Sequence, residues 1–363
     1  MEKEKEVGNP NPIRVGITIG DINGIGPEII IKALKDPRIL LDLTPVIYGS
    51  SKVISYYKKQ LNDAEFNYLT IREAKEIQNR KINVLNVWND EVQITPGVPN
   101  SDSGKYAIQS LEKASQDLAD GKIDVLVTAP FSKDEVTKSG FKFSGHTEYL
   151  AEMAGVEEAL MILMAGALRV ALVTVHVPLK EVSQAITKDK IIRKIQQFED
   201  SLKKDFSIVK PRIAVLGLNP HAGENGKLGQ EEKEVIFPAI QASKNEGKFV
   251  FGPYAADGFF GSTLRHQFDG VLAMYHDQGL AAFKAIAFED GVNFTAGLPI
   301  VRTSPDHGTA YDIAGKNEAS EHSIRSAIYA ACDILKSRKF IKEINLNPLL
   351  VRKLEGDRSE RDH

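Results

Sequence analysis

Three histidines stand just past the ends of three apolar runs. Val173-Thr174-Val175 leads to His176, Val215-Leu216-Gly217-Leu218 leads to Asn219-Pro220-His221, and Leu272-Ala273-Met274 leads to Tyr275-His276-Asp277. Three neutral imidazoles with an open coordination position make a catalytic divalent-metal site, in which the cation acidifies a bound hydroxyl and polarises a carbonyl. Their wide spacing matches no local metal motif, so three separate histidines, each hydrogen-bonded near a strand end, remain the alternative at this stage. Glu224, Asp257 and Asp277 lie nearby as groups able to orient an imidazole or take a proton. Each reads equally as a surface carboxylate, Glu224 most readily.

A second group suits an anion. In Gly145-His146-Thr147-Glu148, Thr147 is expected to cap a helix whose first N–H groups face a phosphate, or only to cap it. Lys284, Asn293 and Arg302 interrupt an otherwise apolar, glycine-rich stretch. Buried cations are rare unless paired, so this pattern reads as a phosphate- or carboxylate-binding cleft or as structural ion pairing. A third element is the 305–316 stretch PDHGTAYDIAGK, whose small residues suit a loop against a ligand, with Asp312 placed to accept from ribose hydroxyls; an ordinary glycine loop has the same look. The early turn GDINGIG is not G-x-G-x-x-G and is not assigned a cofactor; Asp21 is read as a turn and helix-cap residue, with facing the cleft as a further role open to it.

These residues need strands and helices to hold them. Residues 13–19 (IRVGITI), 43–48, 123–128, 169–175, 212–218 and 270–274 read as buried strands. Helices are expected at 27–36, 51–61, 104–119 (capped from 100–103), about 188–204, 229–245 and 318–337. The stretch 159–177 reads as a short helix running into a strand, 62–100 as short strands and loops, and 353–363 as a frayed charged tail. Alternating strands and helices give an α/β fold with a mostly parallel sheet, and ligands of such sheets bind beyond the carboxyl ends of the strands.

The composition sets the outer limits. At about 150 residues per domain, a chain of 363 residues is expected to hold two domains. With 46 Lys+Arg against 49 Asp+Glu and a net charge of -3, a broad nucleic-acid-binding field is not expected. The single cysteine, Cys332, excludes an internal disulfide and a multi-cysteine zinc site, leaving the eight histidines and the carboxylates as metal donors. No signal peptide or membrane span is apparent, and a cytoplasmic location is expected.

Taken in order, the segments GDINGIGPEI, APFSK, GHTEYLAE, HVPL, GLNPHAGENGKLGQEE, GPYAADGFF, YHDQGLAAFK and GVNFTAGLPIVRTSPDHGTAYDIAGK resemble the motif series of the 4-hydroxythreonine-4-phosphate dehydrogenase (PdxA) family over residues 13–330. The resemblance implies two α/β/α domains about a cleft, as in isocitrate and isopropylmalate dehydrogenases, with 1–137 plus 300–363 forming one and 138–299 the other. It implies a homodimer with the active site shared across the interface. It also implies His176, His221 and His276 as metal ligands, with Zn²⁺ favoured and Co²⁺ or Mg²⁺ possible choices for that set. His146, Thr147, Lys284, Asn293 and Arg302 fall on substrate positions, His307, Gly308 and Asp312 on an NAD (or NADP) loop, and Asp277 or Asp257 would take the proton. The implied reaction is oxidation of 4-phosphooxy-L-threonine at C3 with decarboxylation. Rival readings are a dehydrogenase of 4-phosphoerythronate or 4-phosphothreonate, a metal-dependent phosphatase, and a non-catalytic phosphometabolite sensor. Two features depart from the family pattern: Ile22-Asn23 in the first turn and a longer region at 65–100.

Overall fold

A computed structural model describes residues 11–346; the expectation for the 353–363 tail lies outside the described residues. The fold is α/β, built on one sheet of twelve strands. They are β1 (Ile13–Thr18), β2 (Leu43–Gly49), β3 (Leu69–Ile71), β4 (Asn83–Asn86), β5 (Val125–Thr128), β6 (Leu160–Ala165), β7 (Leu168–Leu172), β8 (Arg212–Leu216), β9 (Phe249–Tyr254), β10 (Gly270–Ala273), β11 (Val292–Ala296) and β12 (Arg302–Pro305). Their spatial order is β3-β4-β2-β1-β5-β12-β11-β6-β7-β10-β8-β9. Pairing is parallel except at the centre, where β12-β11, β11-β6 and β6-β7 are antiparallel.

That centre corrects one expectation. Residues 159–177 hold no helix: Leu160–Ala165 and Leu168–Leu172 form a hairpin about Gly166 at φ +54. The run is apolar without alternation because both faces of these strands are covered, and such a run does not distinguish helix from strand by periodicity. The helix over 104–119 begins at Ser101 with Asn100 accepting from the Ser103 N–H, as its capping residues require. The last described helix runs over His322–Ile344, later than expected, and β9, β11 and β12 are additional to the strands expected.

Side chains alternate between the two faces of the sheet. Val125 and Val127 point to one face and Leu126 to the other; Leu272 faces opposite to Val271 and Ala273. The first face carries one continuous apolar layer under the helices Gly26–Leu34, Ser51–Gln60, Lys188–Phe206 and His322–Ile344. The second face carries two separate layers. One lies under Ser101–Ala119 and His146–Met153, the other under Ala256–Gly261 and His276–Ala287. Between them the central strands present Thr128, Met161, Asn293, Arg302 and Ser304 to a cavity.

Candidate functional site

The cavity has a volume of about 450 Å³. Arg302 forms its floor. It is 3% exposed, and its guanidinium donates to Thr128 Oγ1 at 3.0 and 2.6 Å and to Thr295 Oγ1 at 3.0 Å. No carboxylate lies within ion-pair distance of it among the described residues; burial pulls its pKa down to about 10, opposed only by the more distant charge of Glu148 on the cavity wall. A buried cation that has hydroxyls but no anion beside it is primed for an anionic ligand.

Around this floor stand the other residues that the sequence singled out for an anion. His146 opens the helix His146–Met153 and stacks on Phe131 at 3.8 Å. Desolvation, then the charges of Arg302 and Lys133, push its pKa well below the ordinary histidine value, so it presents a neutral ring. Thr147 lines the cavity but caps nothing: the N-cap is Gly145, with no side-chain cap bond, because the helix starts one residue before Thr147. Asn293 lines the wall from β11, and its Oδ1 is buried without a partner. Lys284 lines the opposite side and pairs with Asp306 at 3.6 Å, so here the ion-pairing alternative holds alongside the anion reading.

The three metal candidates divide. His176 and His276 both line this cavity, with ring centroids 6.3 Å apart. Desolvation lowers the His176 pKa, favouring the neutral imidazole a cation needs. His276 Nδ1 lies 2.7 Å from Asp277 Oδ1, which orients the ring and leaves Nε2 free. His221 instead lines a separate cavity of about 510 Å³ with Asp257 and Asp277, and all three are exposed. It heads a turn in which every residue from His221 to Asn225 has positive φ. Among the described residues of one chain, no three His, Cys, Asp or Glu side chains come together as a metal set. Glu224 is exposed and pairs with Lys227 at 3.5 Å, the surface role expected for it.

The glycine loop follows β12. His307 and Gly308 line the main cavity, while Asp312 is exposed and lies outside its lining. His307 Nδ1 is 3.0 Å from the Gly308 carbonyl, so Nδ1 carries the proton, and burial lowers its pKa. Phe131 and Lys133, within the segment APFSK, line the cavity too, together with Thr128 and with Asp306 of the 305–316 stretch, none of them assigned a role from the sequence. The segment APFSK, at the end of β5, was the signal for the first two. Thr128 and Asp306 look like ordinary polar residues until the strand order is known.

A family model described as pyridoxal phosphate biosynthetic protein PdxA matches residues 42–331. The chain belongs to the PdxA family. A 4-hydroxythreonine-4-phosphate dehydrogenase of Bacteroides thetaiotaomicron is 52% identical over 340 residues, 93% of each chain. An Oceanobacillus iheyensis relative, named provisionally as a D-threonate 4-phosphate dehydrogenase, is 40% identical over 327 residues, 89% of this chain and 98% of its own. The crystal structure of a 4-hydroxythreonine-4-phosphate dehydrogenase from Klebsiella pneumoniae superposes with a TM-score of 0.75 at 32% identity, covering 89% of this chain and 99% of that one. This PdxA-family chain is therefore an enzyme, a dehydrogenase. Among its described residues no helix is long and apolar enough to cross a membrane.

Proposed function

We propose that this enzyme oxidises 4-phosphooxy-L-threonine at C3, using NAD or NADP, and that the 3-oxo acid then loses carbon dioxide to give 3-amino-2-oxopropyl phosphate. This serves pyridoxal phosphate synthesis. The observation that carries the reading is the unpaired, buried Arg302 at the floor of a cavity that also holds His176 and His276. An anionic substrate gives that guanidinium its missing partner. The name of the Bacteroides relative, at 52% identity, supports the substrate.

In this reading Arg302 and Lys284 bind the phosphate and carboxylate, and His146, Thr147 and Asn293 fix the orientation of the remaining polar groups. His307, Gly308 and Asp312 would carry the nicotinamide cofactor, which would supply the hydride acceptor. His176 and His276, with His221 of a second copy, would hold a divalent cation; their borderline imidazole donors suit Zn²⁺ or Co²⁺ better than Mg²⁺. When bound, such a cation would supply Lewis acidity. The hydroxyl proton leaves to Asp277 or Asp257, both exposed beside His221 where a second copy would meet them. The enzyme is thus read as a homodimer whose active site is completed across the interface. Each chain divides into 1–137 plus 300–363 and 138–299, the cut passing between β12 and β11.

A second reading is favoured by the Oceanobacillus relative: the same site acting on 4-phosphothreonate, where a hydroxyl replaces the 2-amino group. The test is reduced-nicotinamide absorbance with 4-phosphooxy-L-threonine, 4-phosphoerythronate and 4-phosphothreonate in parallel, with and without NAD or NADP. The first substrate should give the highest kcat/KM. A preference for 4-phosphothreonate selects the second reading, a preference for 4-phosphoerythronate excludes both substrates argued here, and phosphate release without any nucleotide would sink both readings.

A further inference from the structure

The turn after β1 and the 305–316 loop are joined by hydrogen bonds that the chemistry above does not use. Asp21 is 0% exposed and has no cationic partner within ion-pair distance among the described residues. Its Oδ1 accepts from the Asn23 N–H at 2.8 Å, and its Oδ2 accepts from the Ser103 hydroxyl at 2.8 Å and the Tyr311 hydroxyl at 2.6 Å. Ser103 sits in the first turn of Ser101–Ala119, so the buried charge rests against a helix N-terminus, whose partial positive charge offsets its desolvation. A carboxylate in that place also repels any phosphate that would use the first glycine turn as a dinucleotide site.

Asn23 extends the contact outward. Its Oδ1 accepts from the Thr95 N–H at 2.8 Å, its Nδ2 donates to the Val98 carbonyl at 3.0 Å, and its own carbonyl accepts from the Gly97 N–H at 2.8 Å. Gly97 lies so close to the loop that a Cβ on it would come 2.9 Å from the Tyr311 carbonyl oxygen. The Ile25 N–H donates to the Thr309 carbonyl at 3.0 Å, and Gln60 donates to the Gly315 carbonyl at 2.6 Å. Thr309 and Tyr311 are therefore held from the turn after β1 and the 95–98 strap, and Gly315 from the end of the helix Ser51–Gln60. Between them Ala310 is kept at φ +44, a left-handed conformation that a free alanine avoids.

We propose that the Tyr311–Asp21 hydrogen bond, with the Asn23-held strap as its outer wall, presets the 307–312 loop for the cofactor. Asp21, Asn23 and Tyr311 are then positioning residues for cofactor binding. This rests on the reading of that loop as the nicotinamide-nucleotide site. A loop already in its bound shape loses little entropy when the ligand arrives; a loop released from Asp21 must be ordered by the ligand, and affinity falls by that cost.

Tyr311→Phe keeps the ring and removes only the hydroxyl. The dissociation constant and KM for the preferred nucleotide, NAD or NADP, should rise about tenfold, the size of one modest hydrogen bond to a charged group. The kcat at saturating cofactor and the dissociation constant of the phosphorylated substrate should move less than about twofold, because the cavity floor is untouched. Asn23→Ala should shift cofactor affinity in the same direction, and the double variant should fall short of the product of the two effects, since both act through one loop. Cofactor affinity unchanged in Tyr311→Phe overturns the relay alone. Equal loss of substrate and cofactor affinity also overturns it, as general loosening. Unmodified protein that binds neither NAD nor NADP overturns both the relay and the cofactor reading.

Discussion

Arg302 concentrates the electrostatics of the cavity in one side chain. Its burial without an ion-paired carboxylate should cost folding energy, which the anionic substrate of the proposed function would offset. Arg302→Met should therefore leave the melting temperature unchanged or raised, while kcat/KM falls by about two orders of magnitude or more, the loss of a charge-assisted pair. Differential scanning calorimetry beside steady-state kinetics checks this, and a destabilised Arg302→Met protein would contradict it. The neutral histidines give a second expectation. The folded-state pKa values of His146 and His307 lie below the ordinary 6.5, so the unfolded chain binds protons that the folded chain refuses. Their contribution is fully present above pH about 6.5 and is lost as the pH falls below it. Urea midpoints of the metal-free protein should drop between neutral and mildly acidic pH, and by less in His146→Gln; an equal drop in both would exclude His146 as a source. Lys284, Asn293 and Arg302 were legible in the sequence because polar groups in an apolar stretch need a reason to be there. Lys133 was flagged only by its segment APFSK, and Thr128 not at all, since its neighbours are those of any buried strand.

At the scale of elements, two helices set the cavity's edge through one glycine. A Cβ on Gly104 would collide with the backbone carbonyl of Glu135, so only glycine lets Ser101–Ala119 pack against Lys133–Lys138, the short helix that brings Lys133 to the cavity. Gly104→Val should destabilise the fold by about 1–3 kcal/mol through overpacking and displace Lys133. A lower urea midpoint together with a raised substrate KM is expected, and a wild-type midpoint would show that the helices yield freely. Helices with capping signals, such as Ser101–Ala119, were readable in advance because a cap is a local interaction. The β6-β7 hairpin was not, because what makes those residues strands is coverage on both faces, a property of the assembled sheet.

For the whole molecule, the α/β class followed from alternating apolar runs and helical stretches, but the antiparallel centre did not, since sequence carries no record of which strands become neighbours. The residue pattern alone did not show the separation of His221 from His176 and His276 for the same reason; only the family resemblance, with its site shared across an interface, pointed to it. If His221 completes the site of a second copy, His176→Ala and His221→Ala should each be inactive, yet regain activity when unfolded together and refolded as a mixture. Statistical pairing leaves about a quarter of the sites intact, because half the dimers are mixed and each restores one site of two. No recovery on mixing would place all three ligands in one chain.

The antiparallel centre has a mechanical side. Strands β12, β11, β6 and β7 join the two halves of the sheet edge to edge, and His322–Ile344 packs across β5, β12 and β11. Sliding one half past the other would break every bond of a ladder at once, whereas a change in sheet twist strains each bond only slightly. The joint should therefore act as a torsion spring, resisting shear more than twist. Because Arg302 and Asn293 stand on the joint itself, a twist would change the angle of the cavity walls while leaving its charged floor in place.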